Sequence, residues 1–218
     1  MSLTLFIGNK NYSSWSMRPW MALKAANIPF EEFFIPLYTD AADKQRILSV
    51  TKSGKVPALA DGDVTVWDSL AIIEYLAERF PDANLWPEDR AIRAQARSIS
   101  AEMHSGFMPL RNECGMNIHR PIASKKLSDD AMANVARIQQ IWTDCRARYG
   151  GEGPYLFGRF TAADAMYAPV IHRFRTYDIP VTAPVRDYMT AMLENPAFQK
   201  WTEDALAETL VIDKFESD

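Results

Sequence analysis

Two hydrophobic periods alternate over the first eighty residues, and only one of them continues beyond. "LTLFIG" (3–8) is a short apolar run ending at a glycine, which predicts a buried strand. "SMRPWMALKAANI" (16–28) carries helical spacing. With Ser16 as its N-cap, Pro19 falls at the third helical position, where a missing N–H costs little. On that reading Ser13 and Ser14 lie in the loop just ahead of the helix. "PFEEFFIPL" (29–37) predicts a second strand, and the polar stretch after it, helical or irregular, runs to Ser53. "KVPALADGDVTVWDS" (55–69) reads as a hairpin turning around Asp61–Gly62, with Pro57 at the start of its strand. "SLAIIEYLAERF" (69–80) has apolar residues at 70, 72, 73, 76, 77 and 80, a helical stripe that stops at Pro81. Together these elements make an α/β unit of about thioredoxin size.

"PDANLWPEDR" (81–90) holds two prolines and no periodicity and reads as a linker. Beyond it the strand pattern disappears. Apolar residues at 92, 96, 99, 103, 107 and 110 place a stripe on one long helix, and those at 135, 138, 142, 145 and 149 place another. The second starts at Ser128, carries Asp129 and Asp130 in its first turn, and ends with Arg146 and Arg148 before Gly150–Gly151. Those charges complement the helix dipole at both ends. Thr161 and Asp164 stand at capping-box spacing before a further helix in which Pro169 predicts a kink. Thr182 with Pro184, and Asn195 with Pro196, open two more. The expected organisation is an α/β domain over 1–80, a linker over 81–90 and an all-α domain over 91–218.

Composition narrows the function classes. Of 218 residues 48% are hydrophobic and 24% charged, as in a globular protein with a sizeable core. A net charge of −4 argues against a general nucleic-acid or anionic-membrane surface. No apolar run reaches the roughly 18 residues of a membrane span, and the first residues lack a signal-peptide layout. Cys114 and Cys145 match no metal or redox spacing, so no metal site is expected and the thiols are read as reduced, in a cytoplasm.

"NYSSWSMRPW" (11–20) carries the candidate chemistry. A surface loop has no need of two indoles, and a buried strand has no use for two free hydroxyls. Serines beside Trp15 and Trp20 at the start of a helix mark a binding place, with the two rings as its walls.

Several segments together resemble the cytosolic glutathione transferases. "SSWSMR" is similar to the zeta-class SSCS-x-R stretch, and the five-residue step from Ser13 to Arg18 also matches tau-type enzymes. "KVPAL" resembles the family's x-V-P-x-L strand, "DSLAIIEYL" its E/Q-S-x-A-I-x-x-Y-L element, and "ISAEMHSGFMPLRN" (99–112) the zeta helix around x-x-P-L-x-N. "TAADAMYAPV" resembles the family's capping box and following helix.

The resemblance implies a thioredoxin-like domain followed by a helical domain, and a cytoplasmic homodimer that detoxifies small electrophiles with glutathione as substrate or cofactor. It implies that Ser13, with Ser14 as second choice, meets the glutathione thiol. Ser14, Trp15, Lys55, Val56, Pro57, Asp68 and Ser69 would bind the rest of the tripeptide, across a cis Val56–Pro57 bond. The physics is consistent: a thiol of pKa about 8.5 is mostly protonated at neutrality, and a hydroxyl at a helix N-terminus favours its thiolate. His104, Met108 and Arg175 are the residues the resemblance brings to the second-substrate pocket, with Arg175 set ahead of Arg173. His119 and His172 read as structural.

Two other functions fit the same residues. One is a glutathione-dependent isomerase of the maleylacetoacetate type. Against it, Trp15 stands in place of the zeta cysteine, and Met108 where that helix usually has a polar residue. The other is a non-catalytic glutathione-fold protein that carries ligands. Disulfide reduction is disfavoured, because the active-site stretch holds no cysteine.

Overall fold

The computed structural model describes residues 3–38, 41–151 and 153–216. Its first half runs β1 (Leu3–Ile7), α1 (Ser14–Ala25), β2 (Phe30–Phe34), α2 (Ala41–Val50), β3 (Ala58–Asp61), β4 (Val64–Trp67) and α3 (Ser69–Arg79). The strands form one mixed sheet in the order β2-β1-β3-β4. β1 is parallel to β2 and antiparallel to β3, which pairs antiparallel with β4. Parallel neighbours need a crossover connection, and α1 supplies it. Leu3, Leu5 and Ile7 alternate as the buried side of the central strand β1. In the hairpin Asp61 pairs with Val64, so the turn is Gly62–Asp63, one residue later than expected, with Gly62 at φ 60°.

The start of α1 also differs from expectation. Ser13, not Ser16, is the N-cap, Ser14 is the first helical residue, and Pro19 lies inside the helix. The Ser16 hydroxyl oxygen instead accepts the Gly8 N–H at 3.1 Å, which ties the end of β1 to α1.

The second half comprises α4 (Arg90–Ser105), α5 (Met108–Glu113), α6 (Asp129–Tyr149), α7 (Ala162–Thr176), α8 (Ala183–Glu194) and α9 (Pro196–Ala207). The stripe from 92 to 110 is not one helix. α4 ends at Ser105, Phe107 takes φ 61°, and α5 restarts after it. Arg111 makes the break tolerable by donating to the carbonyls of Gly106 (2.9 Å) and Met103, groups that a helix end leaves without partners. Ala96, Ile99, Met103, Phe107 and Leu110 are still all buried.

α7 is the hub. Every residue in it except Arg175 is buried, and it packs against α1 and α4. The helix runs unbroken through Pro169. Its capping box forms as the spacing predicts, and the Asp164 carboxylate also accepts from the Leu156 N–H and the Tyr188 hydroxyl. Burial pushes that carboxyl up to about 6 against the pull of those bonds. Residues 81–90 are not a loose connection: Leu85 and Trp86 are buried, and the Leu85 carbonyl accepts from Ala162 at 2.7 Å.

Candidate active site

The N-terminus of α1 opens onto a cleft with two lobes. One, of about 570 Å³, is lined by Tyr12, Ser13, Ser14, Val56 and, from the chain's far end, Phe215. The other, of about 410 Å³, is lined by Ser53, Pro57, Trp67, Asp68 and Ser69. Trp15, Lys55 and Val56 belong to both.

Ser13 and Ser14 are each 7% exposed, at the floor of the larger lobe. Ser13 caps α1 by accepting the Ser16 N–H at 3.4 Å, and its own hydroxyl donates to Ser16 Oγ at 2.8 Å. In the smaller lobe the Val56–Pro57 bond is cis. Asp68, at φ 77°, caps α3 by accepting the N–H groups of Leu70 and Ala71 through Oδ1. Its Oδ2 meets His104 Nε2 at 3.2 Å. Ser69 is fully buried and its hydroxyl has no partner among the described residues, although it lines the lobe.

A positive cluster lies behind the serines. Two guanidinium groups lie over the Trp15 ring, Arg18 at 4.3 Å and Arg111 at 4.9 Å from its centre, and the His104 ring meets it edge-on at 5.2 Å. Arg18 is 1% exposed; its Nε donates to the Met166 carbonyl at 3.1 Å, and its Nη1 has no partner among the described residues. Arg173 donates to the Cys114 carbonyl and, at 3.4 Å, to Ser14 Oγ. Burial, then the charges of Arg111 and Arg173, hold Arg18 well below the usual guanidinium range. Burial, then Arg111, brings Arg173 down to about 10. Burial also lowers the His104 pKa; Asp68 opposes the effect, while Arg18 and Arg111 add to it.

The cleft therefore brings together Ser13, Ser14, Trp15, Lys55, Val56, Pro57, Asp68 and Ser69. His104 stands behind it, through Asp68 and Trp15. Met108 is 54% exposed at the start of α5 and lines neither lobe. Arg175 does not face the cleft: it is the exposed residue of α7, and Arg173, two positions earlier, points to Ser14 instead. A helix turns about 100° per residue, so residues two apart lie on nearly opposite sides. Trp20 is no wall either. It is buried in the core and donates to Glu32 at 2.6 Å. His119 meets the Ala205 carbonyl at 2.8 Å and His172 stacks on Phe198, both away from the cleft. Sequence reasoning missed Arg18, Arg111, Tyr12, Tyr38 and Phe215. Arg18, Tyr12 and Arg111 lie inside the stretches "NYSSWSMRPW" and "ISAEMHSGFMPLRN", whereas Tyr38 and Phe215 carried no signal.

A thioredoxin-like α/β half whose first helix starts beneath a cleft, joined to an all-helical half, is the glutathione transferase architecture. The model for the glutathione S-transferase N-terminal domain matches residues 12–79, and that for the C-terminal domain matches residues 126–204. Over 220 residues the chain is 30% identical to Glutathione S-transferase Z2 of Arabidopsis thaliana, which spans 92% of this chain and 93% of that protein. It is 30% identical over 197 residues to Maleylacetoacetate isomerase of Rattus norvegicus, covering 85% of each. Among solved structures, a glutathione transferase homologue from Burkholderia GL BGR1 with bound glutathione aligns with a TM-score of 0.73 at 25% identity, over 95% of this chain and 100% of that one. The chain belongs to the glutathione S-transferase family of enzymes.

Proposed function

We propose that this protein binds glutathione across the two lobes and activates its thiol with Ser13 for addition to a small electrophile. The observation that carries this reading is the place of Ser13: a buried N-cap hydroxyl on the floor of a cleft, at the positive end of α1. Glutathione, when bound, supplies the nucleophilic thiol. The unpartnered, buried Ser69 hydroxyl and the start of α3 suit an anionic end of the tripeptide, and the Asp68 carboxylate beside them suits its ammonium. The backbone at Val56, which lines both lobes, would pair with the middle of the tripeptide as an added strand does.

Ser13 is wired for donation. Ser16 Oγ accepts both the Gly8 N–H and the Ser13 hydroxyl, which fixes the Ser13 oxygen at the cleft. With a thiol bound, the Ser13 proton would turn from Ser16 toward sulfur, and linked bonds of this kind polarise one another. The dipole of α1 and the guanidinium groups of Arg18, Arg111 and Arg173 add positive potential. Each unit taken from the thiol pKa corresponds to about 1.4 kcal/mol of preference for the thiolate, within reach of one or two such interactions.

Arg173 beside Ser14 favours a second reading, in which the electrophile carries a carboxylate and the reaction is a maleylacetoacetate-type isomerisation that regenerates glutathione. A panel containing maleylacetone and neutral aryl halides separates the two. Absence of any thiolate on bound glutathione that depends on Ser13 or Ser14 would leave only the non-catalytic ligand carrier.

We also read the protein as a cytoplasmic homodimer with the first half of one subunit against the helical half of the other. The 54% exposure of Met108, within the stretch 99–112, supports a covered surface there. Light scattering at micromolar concentration should show twice the chain mass. Among the described residues no helix is long and apolar enough to cross a membrane.

A further inference from the structure

The turn that carries Ser13 is held from the opposite end of the chain. Residues 9–12 lead from β1 to α1, and all four are buried. The Asn9 carbonyl accepts the N–H groups of Tyr12 (3.1 Å) and Ser13 (2.8 Å), which closes the turn but provides nothing for the N–H groups of Lys10 and Asn11. Buried backbone donors need an acceptor. Glu208 supplies both: Oε1 accepts from Lys10 at 2.6 Å and Oε2 from Asn11 at 3.1 Å.

Nothing in α9 itself calls for a carboxylate at 208. Glu208 caps the C-terminus of α9, the negative end of the helix dipole, where a cation would be favoured. Burial raises its pKa, while the two backbone N–H groups and the charges of Lys10 and His119 pull the other way. A carboxylate kept where both the helix and burial disfavour it answers to the turn, not to α9. The same helix braces Lys10 further. Trp201 Nε1 donates to the Lys10 carbonyl at 3.2 Å, and Lys10 Nζ lies 2.7 Å from Asp204 and 2.8 Å from Glu32. Holding the Asn11 N–H fixes the rigid peptide plane between residues 10 and 11, two residues ahead of Ser13.

We propose that Glu208 is a positioning residue for thiol activation: its carboxylate fixes the turn from which Ser13 projects, and so holds the Ser13 hydroxyl where it meets sulfur. The inference rests on the reading of Ser13 as the thiol-activating group and adds to it a residue from the other half of the protein. A displacement of about 1 Å is enough to lose most of a hydrogen bond, so the setting of the turn decides how well Ser13 can donate.

Thiolate absorbance of bound glutathione, titrated with pH in the full-length protein, tests this alongside calorimetric binding of S-methylglutathione. Glu208→Ala should raise the pKa of the bound thiol by about 0.5–1, a part of the effect of Ser13→Ala. Glu208→Gln keeps the length and one acceptor oxygen, and should raise it by a smaller, measurable amount. S-methylglutathione has no thiol to activate and should bind every form within about twofold. In the double variant Ser13→Ala/Glu208→Ala the pKa should equal that of Ser13→Ala alone, because Glu208 acts through Ser13. An unchanged thiol pKa in the Glu208 variants, or effects that add in the double variant, would overturn the assignment. So would a matching loss of S-methylglutathione binding, since Glu208 would then support the whole glutathione site. Should Glu208→Ala fail to fold, the Glu208→Gln titration decides by the same criteria. A thiol no more acidic on the wild type than in free glutathione would instead remove the Ser13 reading, and this inference with it.

Discussion

The guanidinium of Arg173 lies 3.4 Å from the hydroxyl of Ser14, joining the hub helix of the second half to the first turn of α1. Arg173 is buried, and its other bonds go to backbone carbonyls, so no carboxylate in the described hydrogen bonds and ion pairs neutralises it. Arg173 lines neither lobe but meets Ser14, which lines the larger, so its charge favours an anionic ligand there. Arg173→Met should raise KM for carboxylate-bearing electrophiles about 10- to 100-fold, as expected for losing a charged hydrogen bond, and change neutral aryl halides much less. Arg173→Lys should recover only part, because an ammonium lacks the planar fork. Arg175→Ala, on the exposed side of α7, should change neither. Equal losses on both substrate types in Arg173→Met would make the arginine a brace for the Cys114 carbonyl and nothing more.

Ser13 caps α1 and faces the cleft, so its removal should have two separable effects. The 3.4 Å bond to the Ser16 N–H is long, and its loss should cost about 0.5–1 kcal/mol of stability, at the low end for a cap. Losing the donor at sulfur should raise the pKa of bound glutathione by about 1–2 units, with little change in its affinity. Thiolate absorbance titrated in the wild type, Ser13→Ala and Ser14→Ala reads the second effect directly. A shift in Ser14→Ala but none in Ser13→Ala would transfer the role to Ser14.

His172 should make the protein acid-labile. It stacks on Phe198 at 4.4 Å, and burial, then the nearby Arg175 charge, lowers its pKa to about 3. The unfolded chain takes up this proton near pH 6.5 and the folded protein does not, so stability is intact above pH 6.5 and falls as the pH drops toward 3. At pH 5 the loss from this one residue is roughly 2 kcal/mol. His172→Phe keeps a ring against Phe198 and removes the titration. Urea unfolding at pH 5 and 7 should show a smaller pH difference in the variant. An unchanged difference would place the acid sensitivity elsewhere.

Much of this fold is legible because its helices start on side chains that declare themselves. Asp68, Ser128 and Asn195 each accept backbone N–H groups of the helix that follows, and Thr161 does so with Asp164. The first helix is harder to read, since Ser13, Ser14 and Ser16 are all suitable caps. Only the position of Gly8 in three dimensions commits Ser16 elsewhere. The break at Phe107 is hidden because steps of three and four residues carry the apolar stripe across it unchanged. The buried arginines are the largest gap. A guanidinium in a sequence reads as solvated surface. Arg18 and Arg111 become site residues only because folding brings both over the ring of Trp15. The choice between Arg173 and Arg175 likewise depends on which side of α7 stays uncovered, which a helix buried on nearly every face does not reveal.

Ser69 offers the sharpest contrast between stability and binding. Its hydroxyl is fully buried and without a partner among the described residues, a state that costs about 1–3 kcal/mol for a polar group. Its place at the wall of the smaller lobe, as the first residue of α3, is where a carboxylate would complete it. Ser69→Ala should therefore leave the free protein as stable as the wild type or more so, raising Tm by a few degrees at most, while weakening glutathione binding by about 10-fold. Thermal melts with and without glutathione measure both quantities on one sample: the variant should melt at or above the wild type alone and below it at saturating wild-type ligand concentrations. The opposite pattern, a destabilised apo protein with unchanged affinity, would mean that the Ser69 hydroxyl supports α3 and that the anionic end of glutathione is held elsewhere.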